Sequence, residues 1–248
     1  MKKFFVIFGL AFVCITAFAH SVEWYVDGSL YQTTTCDAGD SITPPVAPTK
    51  YGYTFDKWVG YIKLEYIEST GTQYIDTGIT LKGTDVVEVK YSDIIRINSS
   101  CMLFGYYDVA VDDRFAYNFW QSGATGGYIY YKGYQTQIST PPTNDGLTHI
   151  IKMGNGSLYH DNTLVKSGMD SDFSTSGNMF IFDSSGIDSY PIKARVYYTK
   201  ITDNNGMLVF NGIPVRRSDD NAVGMYDTVS KQFFTNAGTG EFIAGPDW

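Results

Sequence analysis

Aromatic side chains crowd one glycine-rich stretch of this sequence. Trp120, Tyr128, Tyr130, Tyr131 and Tyr134 lie among Gly123, Gly126, Gly127 and Gly133. Flat aromatic faces stack on sugar rings, and the amides of Asn118 and Gln121 offer donors and acceptors beside them. Trp120, Tyr128, Tyr130, Tyr131, Asn118 and Gln121 are therefore the candidate platform for a glycan. The competing reading is that the same rings build a sheet core through cross-strand pairs, the usual role of aromatics in strands. Exposed rings favour the platform; buried rings favour the core. A second chemistry is cation binding. Asp108, Asp112 and Asp113 offer the hard oxygen ligands that calcium takes, and Asp170, Asp172, Asp183 and Asp188 form a looser acidic group. Neither group has EF-hand spacing, and solvated acidic loops are the competing reading.

Other chemistries find less support. Acid–base hydrolysis of a glycoside needs two carboxylates at a fixed separation. The chain has few glutamates, and the spacing of Glu65 and Glu68 puts them on opposite faces of a strand. No Gly-x-Ser-x-Gly elbow is present. His149 lies at the start of a strand, and no Cys/His spacing typical of a zinc site is found. The chain reads as a non-enzyme. Its net charge of −8 leaves no basic surface for phosphates, so nucleic acid is not an expected partner.

The elements that must position these residues are strands. Of 248 residues, 16% are aromatic, 25 are Gly and only 18% are charged, a composition suited to sheets with tight turns rather than to disorder. The N-terminus carries Lys2 and Lys3, an apolar run from Phe4 to Phe18 and a small-x-small site at Ala17–Ala19, the pattern of a signal peptide over residues 1–19. The expected destination is the cell exterior or surface, with the periplasm as a further compartment. No later stretch is apolar for long enough to span a bilayer as a helix. Cys36 and Cys101 would remain after cleavage, and unpaired thiols are the preferred reading.

Residues 20–62 form the first unit. Val22–Val26 alternates, Asp27-Gly28 is a hairpin turn signal, and Pro44, Pro45 and Pro48 exclude a central strand. Residues 63–248 read as one antiparallel β-sandwich. Within it Phe115, Tyr117 and Phe119 point one way and Ala116, Asn118 and Trp120 the other. Ile192, Ala194, Val196 and Tyr198 form the apolar face of another strand. Asp145-Gly146, Asn155-Gly156, Asn205-Gly206 and Asn211-Gly212 are expected turns.

Two resemblances refine this division. Tyr25-x-Asp27-Gly28, Gly39 and Pro45-x-x-Pro48-Thr49-Lys50-x-Gly52-Tyr53-Thr54-Phe55-x-x-Trp58 resemble the Listeria–Bacteroides surface repeat of internalin-like proteins. That resemblance implies a small β-grasp-like module, here in one copy with Lys57 before the Trp. Tyr66–Gly78, His149–Lys152 with Leu158–Asp161, and Gly224–Ser230 with Phe233–Gly240 are similar to segments of laminin-G-like, concanavalin A-like domains of bacterial surface proteins. This implies a jelly roll, one cation site in which calcium is the expected metal, and a partner that is a glycan or a cell-surface protein. Asn162 and Lys231 stand where such domains often have Gly, so the turn at Lys231 is left open. Glycosidases and lyases of that fold carry a Glu-x-Asp-x-x-Glu type motif, which is missing here. The expectation is a non-catalytic recognition protein, with a purely structural or adhesive module as the alternative.

Overall fold

The computed structural model describes residues 2–10, 20–37, 42–95, 97, 100–108, 110, 113–121, 127–138, 145–185, 190 and 192–248, and for 2–10, 20, 120 and 121 the description is of the backbone. The described chain is all β. In order the strands are β1 Lys2–Leu10, β2 His20–Val26, β3 Ser29–Cys36, β4 Tyr53–Lys63, β5 Ile67–Thr70, β6 Ile75–Lys82 and β7 Val86–Ile95. There follow β8 Ser100–Tyr106, β9 Phe115–Gln121, β10 Gly127–Tyr131, β11 Tyr134–Ile138, β12 His149–Gly154, β13 Ser157–His160 and β14 Thr163–Lys166. The chain closes with β15 Ser174–Ile181, β16 Lys193–Thr202, β17 Leu208–Arg217, β18 Val223–Asp227, β19 Gln232–Thr235 and β20 Ile243–Ala244.

Two sheets face each other. The larger runs β14-β13-β12-β7-β16-β17-β4-β1-β2-β3, with β5, β18, β19 and β20 attached beside β16 and β17. The smaller runs β11-β10-β9-β8-β15-β6. Pairing is antiparallel throughout except between β1 and β4. One apolar core fills the gap between them. Val87, Val89 and Tyr91 of β7, Ile151 and Met153 of β12 and Ala194 and Val196 of β16 meet Phe115, Tyr117 and Phe119 of β9, Ile129 and Tyr131 of β10 and Met179 and Ile181 of β15. These positions alternate along each strand, which is how a pleated ribbon puts every second side chain inside.

The expected alternation of β9 is present: Ala116 packs in a separate cluster on the far side of its sheet. Two other expectations are corrected. Tyr198 does not share the inward face of β16. The register against β7 shifts between Val196 and Tyr198, a bulge that moves Tyr198 outward and puts Thr199 and Ile201 inside, fully buried. Asn211-Gly212 is not a turn. Gly212 lies inside β17, paired with Thr199 and Asp227, and a Cβ there would stand 2.6 Å from the Phe210 ring. Gly is demanded at this point by close packing rather than by chain reversal.

Strands β1 to β4 join the larger sheet. β4 runs across the expected boundary at 62/63, and its end pairs with β17 through Lys63↔Val215 to Tyr61↔Arg217. Lys2–Leu10, expected within the signal peptide, runs here as β1, parallel to β4 and touching β2 at Phe8↔Trp24. Among the described residues no helix is long and apolar enough to cross a membrane. Cys36 and Cys101 form no disulfide.

Candidate functional site

The outward face of the smaller sheet is unusually aromatic. Met102 of β8, Ala116 of β9 and Tyr130 of β10 are buried together there, and the half-buried rings of Tyr107, Tyr128 and Tyr190 close around them. Tyr107 stands edge-on to Tyr130 with ring centres 4.6 Å apart, and edge-on to Tyr190 at 5.2 Å. The Arg114 guanidinium lies 5.3 Å over the Tyr107 ring. These distances are those of favourable aromatic and cation–π contacts. Burial, reinforced by the neighbouring Tyr107, pushes the Tyr130 hydroxyl up to about 12, against the pull of its hydrogen bond to Asn118.

The sequence-derived platform is only partly assembled. Tyr128 is half-buried and lies on this face, opposite Asn118 in register. Tyr130 and Asn118 lie beneath it, buried. The Asn118 Oδ1 accepts the Cys101 N–H at 3.2 Å, next to an irregularity in the β8–β9 pairing. Tyr131 is corrected outright. It follows Tyr130 by one residue, so it faces the opposite way, into the main core. Its hydroxyl donates to the Gly83 carbonyl and accepts the Gly156 N–H at 3.0 Å. Trp120 and Gln121 have their backbone in β9, paired with Cys101 and Ser100; their side chains lie outside the described residues. Tyr107 and Tyr190 were not legible as site residues. They come from loops flanking β8 and β16, and no local pattern places them on this face.

Of the calcium candidates, Asp108 and Asp113 lie among the described residues. Asp108 Oδ1 accepts the Ala110 N–H at 2.8 Å, and the Asp108 carbonyl accepts Arg114 Nε at 3.1 Å. Asp113 is half-buried, and Asp112 lies outside the described residues. In the second acidic group Asp170 pairs with Lys132 at 2.5 Å and Asp183 caps the Ser184 N–H. Asp188 lies outside the described residues.

The larger sheet carries two further features. A cavity of about 370 Å³ on its outward face is lined by Glu88, Lys152, Tyr159, Asn162 and neighbouring aliphatic residues. Glu88 accepts the Tyr198 hydroxyl at 2.9 Å there. On the inward side, at the end of the core, the imidazoles of His149 and His160 stack with ring centres 5.1 Å apart. His149 lies between the carboxylates of Asp145 and Asp161. Burial pulls the His149 pKa down, but hydrogen bonds to Asp161 and then Asp145 outweigh it, and the net shift is upward. His160 is held down, by burial first. Among the described residues this is the only group of three or more His, Cys, Asp or Glu side chains whose ligand atoms converge. Its ligands come from two strands and a turn and have no contiguous zinc-type spacing, so no local motif marks it.

No protein-family profile matches the chain, and no curated protein and no solved structure matches it.

Proposed function

We propose that the chain is an exported, non-catalytic recognition protein that binds a glycan. In this reading residues 63–248 are a laminin-G-like jelly roll and residues 20–62 a surface-repeat module in front of it. The observation that carries the reading is the ring cluster of Tyr107, Tyr128 and Tyr190 over Tyr130 on the outward face of the smaller sheet. A solvated sheet face is normally polar. Here it carries half-exposed rings with their hydroxyls as polar handles, which suits a flat, hydroxylated ligand. Burial of Tyr130, Tyr131 and Asn118 favours a second reading, a structural or adhesive module in which the rings only pack.

A glycan array with residues 20–248, run with calcium and with chelator, separates the two. The expected result is a set of related sugars, with Tyr128→Ala weakening each by about tenfold, the loss of roughly one stacking contact. A blank array in both conditions would leave the structural module as the better account.

A further inference from the structure

Three ligand-bearing side chains meet where β12, β13 and the turn after β13 come together. His149 Nδ1 lies 2.7 Å and His160 Nδ1 3.6 Å from the same atom, Asp161 Oδ2. The ligand atoms of the three residues all lie within 4.8 Å of one another. The far nitrogen of each ring is already engaged. His149 Nε2 is 3.1 and 3.2 Å from the two Asp145 oxygens, and His160 Nε2 is 3.2 Å from the Tyr91 hydroxyl. Partners of this kind fix the orientation and tautomer of metal-bound imidazoles, leaving the near nitrogen to face the ion.

We propose that His149, His160 and Asp161 bind a divalent transition metal ion of the zinc type, through the two Nδ1 atoms and Oδ2, with solvent in the fourth position. Two imidazoles and one carboxylate suit zinc better than calcium, which takes oxygen ligands alone. A tetrahedral zinc with bonds near 2.0 Å needs ligand atoms about 3.3 Å apart. The two distances to Oδ2 bracket that value and no pair of ligand atoms is more than 4.8 Å apart, so the site needs side-chain rotations that close at most about 1.5 Å. Asp161 can supply them: it is exposed and sits on the two-residue turn Asp161-Asn162, with φ of 47°. His149 is the fixed partner, buried beside Tyr91 with ring centres 5.8 Å apart. The ion would staple the β12–β13 hairpin at its open end, beside the Tyr91 position of β7. Binding would replace a proton on His149 Nδ1, so the ion and the His149–Asp161 hydrogen bond are alternatives.

The test uses the full chain, stripped with chelator, dialysed and titrated with Zn²⁺ by calorimetry; Co²⁺ uptake is read in parallel by visible absorption. One equivalent of Zn²⁺ is expected, with a melting temperature that rises with zinc concentration. His160→Ala and Asp161→Asn should each weaken binding at least tenfold. Asn tolerates the positive φ at position 161, so Asp161→Asn should keep the unliganded fold and its circular dichroism. His20→Ala should leave uptake unchanged. Absence of uptake by the native chain overturns the proposal. So does uptake that both cluster variants retain, or that His20→Ala abolishes, because the ion is then held elsewhere; the cluster would be a hydrogen-bonded ion pair only.

Discussion

At the scale of single residues, parity along a strand decides roles that composition cannot. Tyr130 and Tyr131 are neighbours with the same chemistry, yet one lies under the aromatic face of the smaller sheet and the other crosses the core. Tyr131 serves two loops at once, accepting the Gly156 N–H and donating to the Gly83 carbonyl. Tyr131→Phe keeps the ring and strips the Gly156 N–H of its partner inside a buried site, while the Gly83 carbonyl keeps the Asn155 N–H at 2.9 Å. The expected cost is about 1–3 kcal/mol in denaturant unfolding, with glycan binding unchanged. The same hydroxyl gives a pH dependence with a defined sign. Burial raises its pKa from 10.0 to about 12. Between those values the unfolded chain releases the proton and the folded chain keeps it. Its contribution is therefore intact below pH 10 and is lost as pH rises toward 12, by about 2 kcal/mol. Tyr131→Phe should flatten alkaline unfolding by that amount. An unchanged alkaline midpoint would show that the hydroxyl is not held neutral by burial.

At the scale of elements, backbone proximity between strands sets the limits. Gly154 ends β12 with φ of 144°, and a Cβ there would stand 1.9 Å from the Asp85 carbonyl oxygen. Gly154→Ala cannot be absorbed by a rotamer change, since the obstacle is backbone. It should cost more than about 2 kcal/mol and speed amide exchange in both β7 and β12; an alanine variant with native stability would mean that the two strands are not so closely apposed. This hairpin also shows how much of the site was legible. Asn155 and Gly156 both have positive φ, 45° and 71°, as their dipeptide predicts for a two-residue turn. That turn fixes Gly154↔Ser157 and hence Ile151↔His160. Counting by twos from it puts His149 and His160 on one face as diagonal neighbours, so their meeting was readable in principle. Lys231 was readable only as a question; it takes the left-handed conformation at φ 61°, with its ammonium 4.6 Å over the Tyr25 ring. The displacement of Tyr198 was not readable. A bulge is set by the partner strand as much as by its own residues, and nothing in the run Val196–Thr199 announces one. Tyr107 and Tyr190 escaped for the related reason that loops carry no period.

At the scale of the whole molecule, β2 and β4 share a core with the sandwich. Val22 and Trp24 of β2 and Val59 and Tyr61 of β4 are buried in one cluster with Val215 and Tyr226 from the sandwich. The Tyr61 ring lies 5.0 Å from Tyr226 and 5.2 Å from Phe233. A segment of some forty residues has little core of its own, and here its apolar side is completed by β17, β18 and β19. The two sequence units should therefore unfold together. Release of residues 1–19 would remove β1, which lies between β4 and β2 in the larger sheet, and leave the contacts among the described side chains of the shared cluster to couple the units. Tyr61→Ala in residues 20–248 deletes a ring from the centre of that cluster and should cost about 3 kcal/mol. Hydrogen exchange followed by mass spectrometry can read the β2 amides and the β7 amides in one sample. If the units are coupled, both report the same lowered free energy of opening. Loss of protection in β2 with β7 unchanged would instead mean that the N-terminal unit opens alone, and that a ligand on the smaller sheet is bound by a domain indifferent to it.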